Sequence, residues 1–252
     1  MGGVIMEKLH LIMPMGGRGY RFFKDGYSMP KPLIELNGKP FFYWSAQSVM
    51  KFVDVADISF VVLQEHVDHF SIDQKIREHY PQARIVVIPE VLPGAVMTCL
   101  EGVKGLDDGP LLFNDCDHMF ICHGFYDFCS KGDFLSPDAA LLTFCSDESK
   151  YSFAKLDENG RVLYTVEKKA VSKHAICGAY YFSRPEIFLS AAEKYLTSCS
   201  YEEFFMSGVY NVLIDDGADV KIFETDLHIS FGTPEEYAVA AADSRLEEVD
   251  NQ

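Results

Sequence analysis

The sequence predicts an α/β fold with a doubly wound, mixed sheet in a three-layer α/β/α arrangement. Three observations point to it. Short apolar runs rich in branched residues recur through the first half of the chain. Segments with apolar residues at three-to-four spacing separate them, which gives alternating strands and helices, hence parallel strands joined by right-handed crossovers. Beyond Asp117, strand-like runs follow one another directly, as antiparallel strands do.

In chain order, LHLIMP (9–14), ISFVVL (58–63), ARIVVIP (83–89) and PLLFND (110–115) read as strands buried on both faces. FFYWSAQSVMKF (41–52), HVDHFSIDQKIREHY (66–80) and AVMTCLEGVKGL (95–106) read as amphipathic helices between them. AALLTFCS (139–146), SFAKLD (152–157), RVLYTVEKK (161–169) and AICGAYYFS (175–183) supply the mixed second half, with DENG at 157–160 as a hairpin turn. Helical patterns at about 185–196 and 202–215, a strand ADVKIFET (218–225) and a helix opened by Thr233, Pro234, Glu235 and Glu236 complete the chain. No repeat, low-complexity tract or flexible linker interrupts it, so residues 1–252 are expected to form a single domain.

The formal net charge of −16 argues against nucleic acid or an anionic membrane as partner, because both call for an extended basic surface. The segment MPMGGRGYRFFKDGYSMPKP reverses that sign locally. Arg18, Arg21, Lys24, Lys31 and Lys39 face only Asp25 and Glu35, which points to a compact anionic ligand. The seven cysteines form no CxxC pair and no zinc spacing, and their odd number fits a reducing cytoplasm better than a disulfide framework. The opening MGGVIMEKLHLIMPMGG predicts neither a membrane span nor a signal peptide.

Gly16, Gly17 and Gly19 follow the first strand, where ligands of open α/β sheets bind and where glycine lets backbone N–H groups approach phosphate oxygens. A dinucleotide fingerprint is excluded by Phe22 in place of its third glycine and by Gln64 in place of its acid. A Walker A loop is excluded because Pro40 follows Gly38-Lys39. Further on, Asp115 and Asp117 alternate along an extended backbone, so both carboxylates point the same way and favour a metal ion.

Gly-Gly-Arg-Gly-Tyr-Arg-Phe, then Pro30-Lys31-Pro32-Leu33, then Asn37-Gly38-Lys39-Pro40 resembles the sugar-phosphate nucleotidyltransferase family, which makes nucleoside-diphosphate sugars and related activated compounds. The resemblance runs from Ile12 to Tyr237. It implies a Rossmann-like, glycosyltransferase-A-like fold with a nucleotide-binding half at about 9–118 and an acceptor-binding half at about 119–245. It also implies Mg²⁺-dependent transfer of a nucleoside monophosphate, with a pyrimidine triphosphate as the favoured donor and a sugar 1-phosphate or similar small molecule as acceptor. Some similar enzymes are cytidylyltransferases of surface-polysaccharide pathways. The oligomeric state stays open, a homodimer being one option.

By motif position, the resemblance assigns Gly16, Gly17, Gly19, Gly94 and Ala95 to the nucleotide, and Arg21 and Lys31 to its phosphates. Lys168 falls to the acceptor's phosphate, Glu167 and Gly178 to its body, and Asp117 with Asp115 to Mg²⁺. Tyr20 stands where Ser or Thr is usual, and Lys169 where proline is. Ser230 occupies the place of the second metal-binding aspartate, leaving Glu224 or Asp226 as nearby acids that could contribute. Two other readings follow from the same residues. Asp115-Cys116-Asp117 is also the DxD of metal-dependent glycosyltransferases, and Ser230 fits a non-catalytic regulatory protein.

Overall fold

The first strand, β1 (Leu9–Met15), lies in the middle of the sheet, not at its edge. After it come α1 (Tyr20–Lys24), a 3-10 turn (Lys31–Leu33), the small hairpin β2 (Glu35–Leu36) and β3 (Lys39–Pro40), then α2 (Phe41–Met50). The chain continues through β4 (Val55–Leu63), α3 (Gln64–Phe70), α4 (Ile72–His79), β5 (Arg84–Ile88), α5 (Ala95–Val103) and β6 (Leu111–Asn114). The computed structural model describes residues 7–132, 134 and 136–246.

Strands β5, β4, β1 and β6 lie side by side and parallel. The chain moves outward from β1 to β5, then crosses back through α5 to place β6 on the other flank of β1. That reversal opens a crevice at the carboxyl ends of β1 and β6, where ligands bind in sheets of this type.

The second half comprises β7 (His118–Ile121), α6 (His123–Lys131), β8 (Ala139–Cys145), β9 (Ser152–Leu156), β10 (Val162–Glu167), β11 (His174–Phe182), α7 (Pro185–Ser198), α8 (Met206–Asp215), β12 (Val220–Glu224), β13 (Leu227–Ser230) and α9 (Pro234–Ala241). β11 runs antiparallel to β6 and continues the same sheet. Its register against β8 shifts between Ile176 and Tyr180, so one end pairs with β9 and the other with β6. β7 and β13 form a separate antiparallel pair that sets Ser230 opposite His118.

Alternation along the strands divides the core in two. Leu11, Met13, Phe60 and Val62 pack with Phe41 and Phe42 of α2 and Ile76 of α4 on one face. Ile12, Val61 and Leu63 pack with Val96 of α5, Phe188 of α7 and Tyr210 of α8 on the other. These two clusters make the three layers the sequence predicts.

Three local expectations need correction. β5 is an edge strand with Val87 42% exposed, not a strand buried on both faces. The helix expected over 66–80 breaks at Ser71, whose left-handed backbone (φ 51°) separates α3 from α4. The helix expected from 202 begins at Met206, because Phe204 donates its N–H to the Pro93 carbonyl and accepts from Val96 N–H. Among the described residues, no helix is long and apolar enough to cross a membrane.

Candidate active site

The glycine loop leaves β1 at Met15, at the lip of the crevice. Gly19 takes φ 61°, and a Cβ there would lie 2.8 Å from Lys31 Cβ, so glycine is what lets the loop and the Pro-Lys-Pro segment close on each other. Gly94 has φ 114° at the start of α5, and its Cα packs against the Phe204 backbone with no room for a side chain. Gly16, Gly17, Gly19, Gly94 and Ala95 line one cavity of about 630 Å³ with Tyr20 and Thr98. Residues far apart in sequence thus meet around one cavity.

A second cavity, of about 180 Å³, is lined by Arg21, Asp115, Asp117 and Gly178, together with Lys150, Tyr151, Ser230 and Glu236. At its wall the Lys31 ammonium donates to Asp117 Oδ2 at 2.7 Å, with both side chains about a quarter exposed. Burial alone would discharge this pair. The attraction between its members outweighs that cost, holding the Lys31 pKa above and the Asp117 pKa below their ordinary values. Asp115 behaves oppositely, because burial and the neighbouring Asp117 charge push its pKa up to about 7. Its backbone N–H donates to the Gly178 carbonyl at 2.9 Å, and a Cβ at Gly178 would come 2.8 Å from Asp115 Oδ2.

Hard carboxylate oxygens in this place suit Mg²⁺. A Cβ at Gly232 would lie 2.6 Å from Asp117 Oδ2 and 3.5 Å from Glu236 Oε2, so the missing side chain leaves a cradle between two carboxylates. Among the described residues, no group of three or more His, Cys, Asp or Glu side chains is arranged to hold a metal by itself. A cation at Asp117 and Asp115 would therefore complete its shell with water and ligand phosphates. Ser230 lines the same cavity as Glu236. Asp226 is turned away, accepting from His123 N at 2.8 Å and Nδ1 at 2.9 Å, and Glu224 is exposed at the end of β12.

Glu167 and Lys168 sit one layer behind the smaller cavity. Glu167 Oε1 accepts from Ser152 at 2.6 Å and from Ser207. Lys168 has φ 53°, donates its N–H to the Tyr151 carbonyl and lays its ammonium 5.4 Å from the Phe205 ring centroid. Left-handed backbone at a lysine is uncommon and stores local strain. The sequence reading missed Lys150, Tyr151, Glu236, His118 and His228 at this site. Glu236 stands in the Gly-Thr-Pro-Glu-Glu-Tyr run after Ser230, which resembles the family's C-terminal motif and starts a helix, but it drew no site role. His118, beside Asp117, showed no partner cluster for a softer metal, and Lys150, Tyr151 and His228 carried no signal.

The curated relative 2-C-methyl-D-erythritol 4-phosphate cytidylyltransferase of Clostridium perfringens is 25% identical over 126 residues, a match spanning half of this chain and half the relative's length. The nucleoside-diphosphate-sugar pyrophosphorylase structure from Vibrio cholerae RC9 superposes with a TM-score of 0.80 at 24% identity, covering 92% of this chain and all of that one. The inositol-1-phosphate CTP transferase of T. maritima superposes at 0.76 with 16% identity, covering 98% and 96%. At such identities these two structures establish the fold. With the nucleotidyl transferase family model matching residues 10–245, the chain belongs to the nucleotidyl transferase family.

Proposed function

We propose that this protein transfers a nucleoside monophosphate from a nucleoside triphosphate to a sugar 1-phosphate or similar phosphorylated small molecule, releasing pyrophosphate. The observation that carries the reading is the Lys31–Asp117 pair at the topological switch of the sheet, beside the cavity lined by the glycine loop.

An acceptor phosphate oxygen attacks the α-phosphorus, a new P–O bond forms, and the bond to pyrophosphate breaks. No protein nucleophile takes part. Burial pushes the Cys116 thiol up to about 12, leaving it unreactive at neutral pH. Gly16, Gly17 and Gly19 hold the triphosphate by backbone N–H groups, with Gly94 and Ala95 against the base. Arg21 and Lys31 offset the charge that builds toward the leaving group. Lys168, Glu167 and Gly178 orient the acceptor. Mg²⁺, held by Asp117 and Asp115, would supply further charge neutralisation between the two polyanions.

The similarity to a cytidylyltransferase and to a CTP transferase supports a pyrimidine donor. The seven cysteines, all free thiols, support a cytoplasmic setting. A thermal-shift screen of the common nucleoside triphosphates with Mg²⁺, followed by pyrophosphate release across sugar and polyol phosphates, tests the reading. A pyrimidine triphosphate should give both the largest shift and acceptor-dependent release. Stabilisation without release by any acceptor would reduce the protein to a binding module.

A further inference from the structure

We propose that Lys150 receives the acceptor's phosphate and that Glu236 holds this lysine in reserve until the acceptor arrives. The inference rests on the transfer reading above and names a side chain that the sequence motifs do not.

Lys150 has the right place. It lines the 180 Å³ cavity with Arg21 and Asp117, and also a neighbouring cavity of about 470 Å³ bounded by α9. Phe144, Lys150, Tyr151, His228, Ser230 and Glu236 line both, so they form the partition. At about 30 Å³ per water, the smaller space holds only a handful of waters, too few to make way for a phosphorylated sugar. Joining the two spaces through that partition gives the acceptor its room.

The pairing is asymmetric. Lys150 Nζ lies 2.9 Å from Glu236 Oε1 and 2.9 Å from Glu148 Oε2, with 38% of its side chain exposed. Glu236 is only 12% exposed and is fixed by the Tyr151 hydroxyl at 2.7 Å. Glu236 is therefore the anchor, and Lys150 the arm that can move. A phosphate dianion offers more charge and more free oxygens than a carboxylate whose oxygen is already shared, so it can take the ammonium from Glu236.

Arg21, the other cation lining the smaller cavity, serves the triphosphate in the transfer reading, and the remaining polar groups leave this role open. His118 Nδ1 and Nε2 and His228 Nε2 are buried without a partner, and both rings line the smaller cavity. An imidazole with a free donor and a free acceptor suits acceptor hydroxyls. Lys31 is committed to Asp117, and the Lys168 ammonium lies over Phe205.

The test uses inorganic phosphate as probe, titrated calorimetrically without nucleotide into wild type and three variants. Lys150→Met should weaken phosphate binding tenfold or more, Lys150→Arg should keep most of it, and Glu236→Gln should tighten it several-fold by removing one of the two carboxylates that hold the lysine, Glu148 being the other. In turnover, Lys150→Met should raise the acceptor KM and leave the triphosphate KM unchanged. A merely structural ion pair would make Lys150→Met and Glu236→Gln change phosphate binding alike. That outcome, no phosphate binding by wild type, or unchanged binding in Lys150→Met with loss in Lys168→Met, overturns the proposal. Failure to release pyrophosphate would defeat the transfer reading separately, since the phosphate titration needs no turnover.

Discussion

Replacing Lys31 by methionine separates what this lysine does for stability from what it does for rate. The substitution keeps the aliphatic stem and removes the ammonium 2.7 Å from Asp117, leaving that carboxylate uncompensated. Breaking a fully buried pair in this way costs about 3–5 kcal/mol. Here the two side chains are 27% and 23% exposed, so water screens part of the loss and about 1.5–3 kcal/mol is expected. For a chain of this size that lowers Tm by roughly 3–10 °C. Turnover should fall about 10²–10³-fold, a barrier increase of about 3–4 kcal/mol, because the transfer reading sets this charge against the α-phosphate. The double variant Lys31→Met/Asp117→Asn no longer carries the stranded charge, so urea unfolding should show most of the stability restored while pyrophosphate release stays low. Near wild-type turnover in Lys31→Met, or recovery of turnover in the double variant, would refute the reasoning.

Three further outcomes are expected. Gly19→Ala forces an alanine to φ 61° and sets its Cβ 2.8 Å from Lys31 Cβ, so stability should drop by about 1–2 kcal/mol with a disproportionate loss of triphosphate binding, measured by calorimetry. Ser230→Asp adds a carboxylate opposite His118 and should tighten Mn²⁺ binding, read by electron paramagnetic resonance; unchanged affinity would place residue 230 outside the cation's shell. The Asp57 hydrogen bond at 2.9 Å raises the His10 pKa above 6.5 despite the opposing effect of burial. Its contribution to stability is therefore complete below that value and lost as pH rises through the folded-state pKa, a dependence that Asp57→Asn should flatten in unfolding curves.

What the sequence revealed follows from local signals. β1, β4 and β6 are short branched runs whose burial on both faces leaves a nearly unbroken apolar stretch, and the Thr233 hydroxyl does accept from Glu236 N–H as the capped start implied. The glycine loop and Pro-Lys-Pro were legible because their composition has a chemical reason, and the 2.8 Å approach of Gly19 to Lys31 shows one geometric reason as well. The β7–β13 pair was not legible. Each strand has four residues, and their partnership joins opposite ends of the second half, so only the tertiary fold selects it. Lys150 and Glu236 escaped for the same reason. Lys150 stands in no motif, the motif around Glu236 says nothing of its partner, and the ion pair exists only because α9 returns to the start of β9. The break at Ser71 and the exposure of β5 likewise depend on position in the sheet, which periodicity alone does not encode.

The central claim is that an acceptor phosphate attacks the α-phosphorus directly. Incubating the protein with a nucleoside triphosphate, Mg²⁺ and an acceptor phosphate labelled with ¹⁸O, and following the reaction by ³¹P NMR, reads this in one spectrum. The account predicts pyrophosphate together with a nucleoside diphosphate ester that keeps the label in the acceptor-derived phosphorus and in the new bridge. A nucleoside diphosphate released from a supplied nucleotide sugar, with no pyrophosphate from any triphosphate, would contradict it.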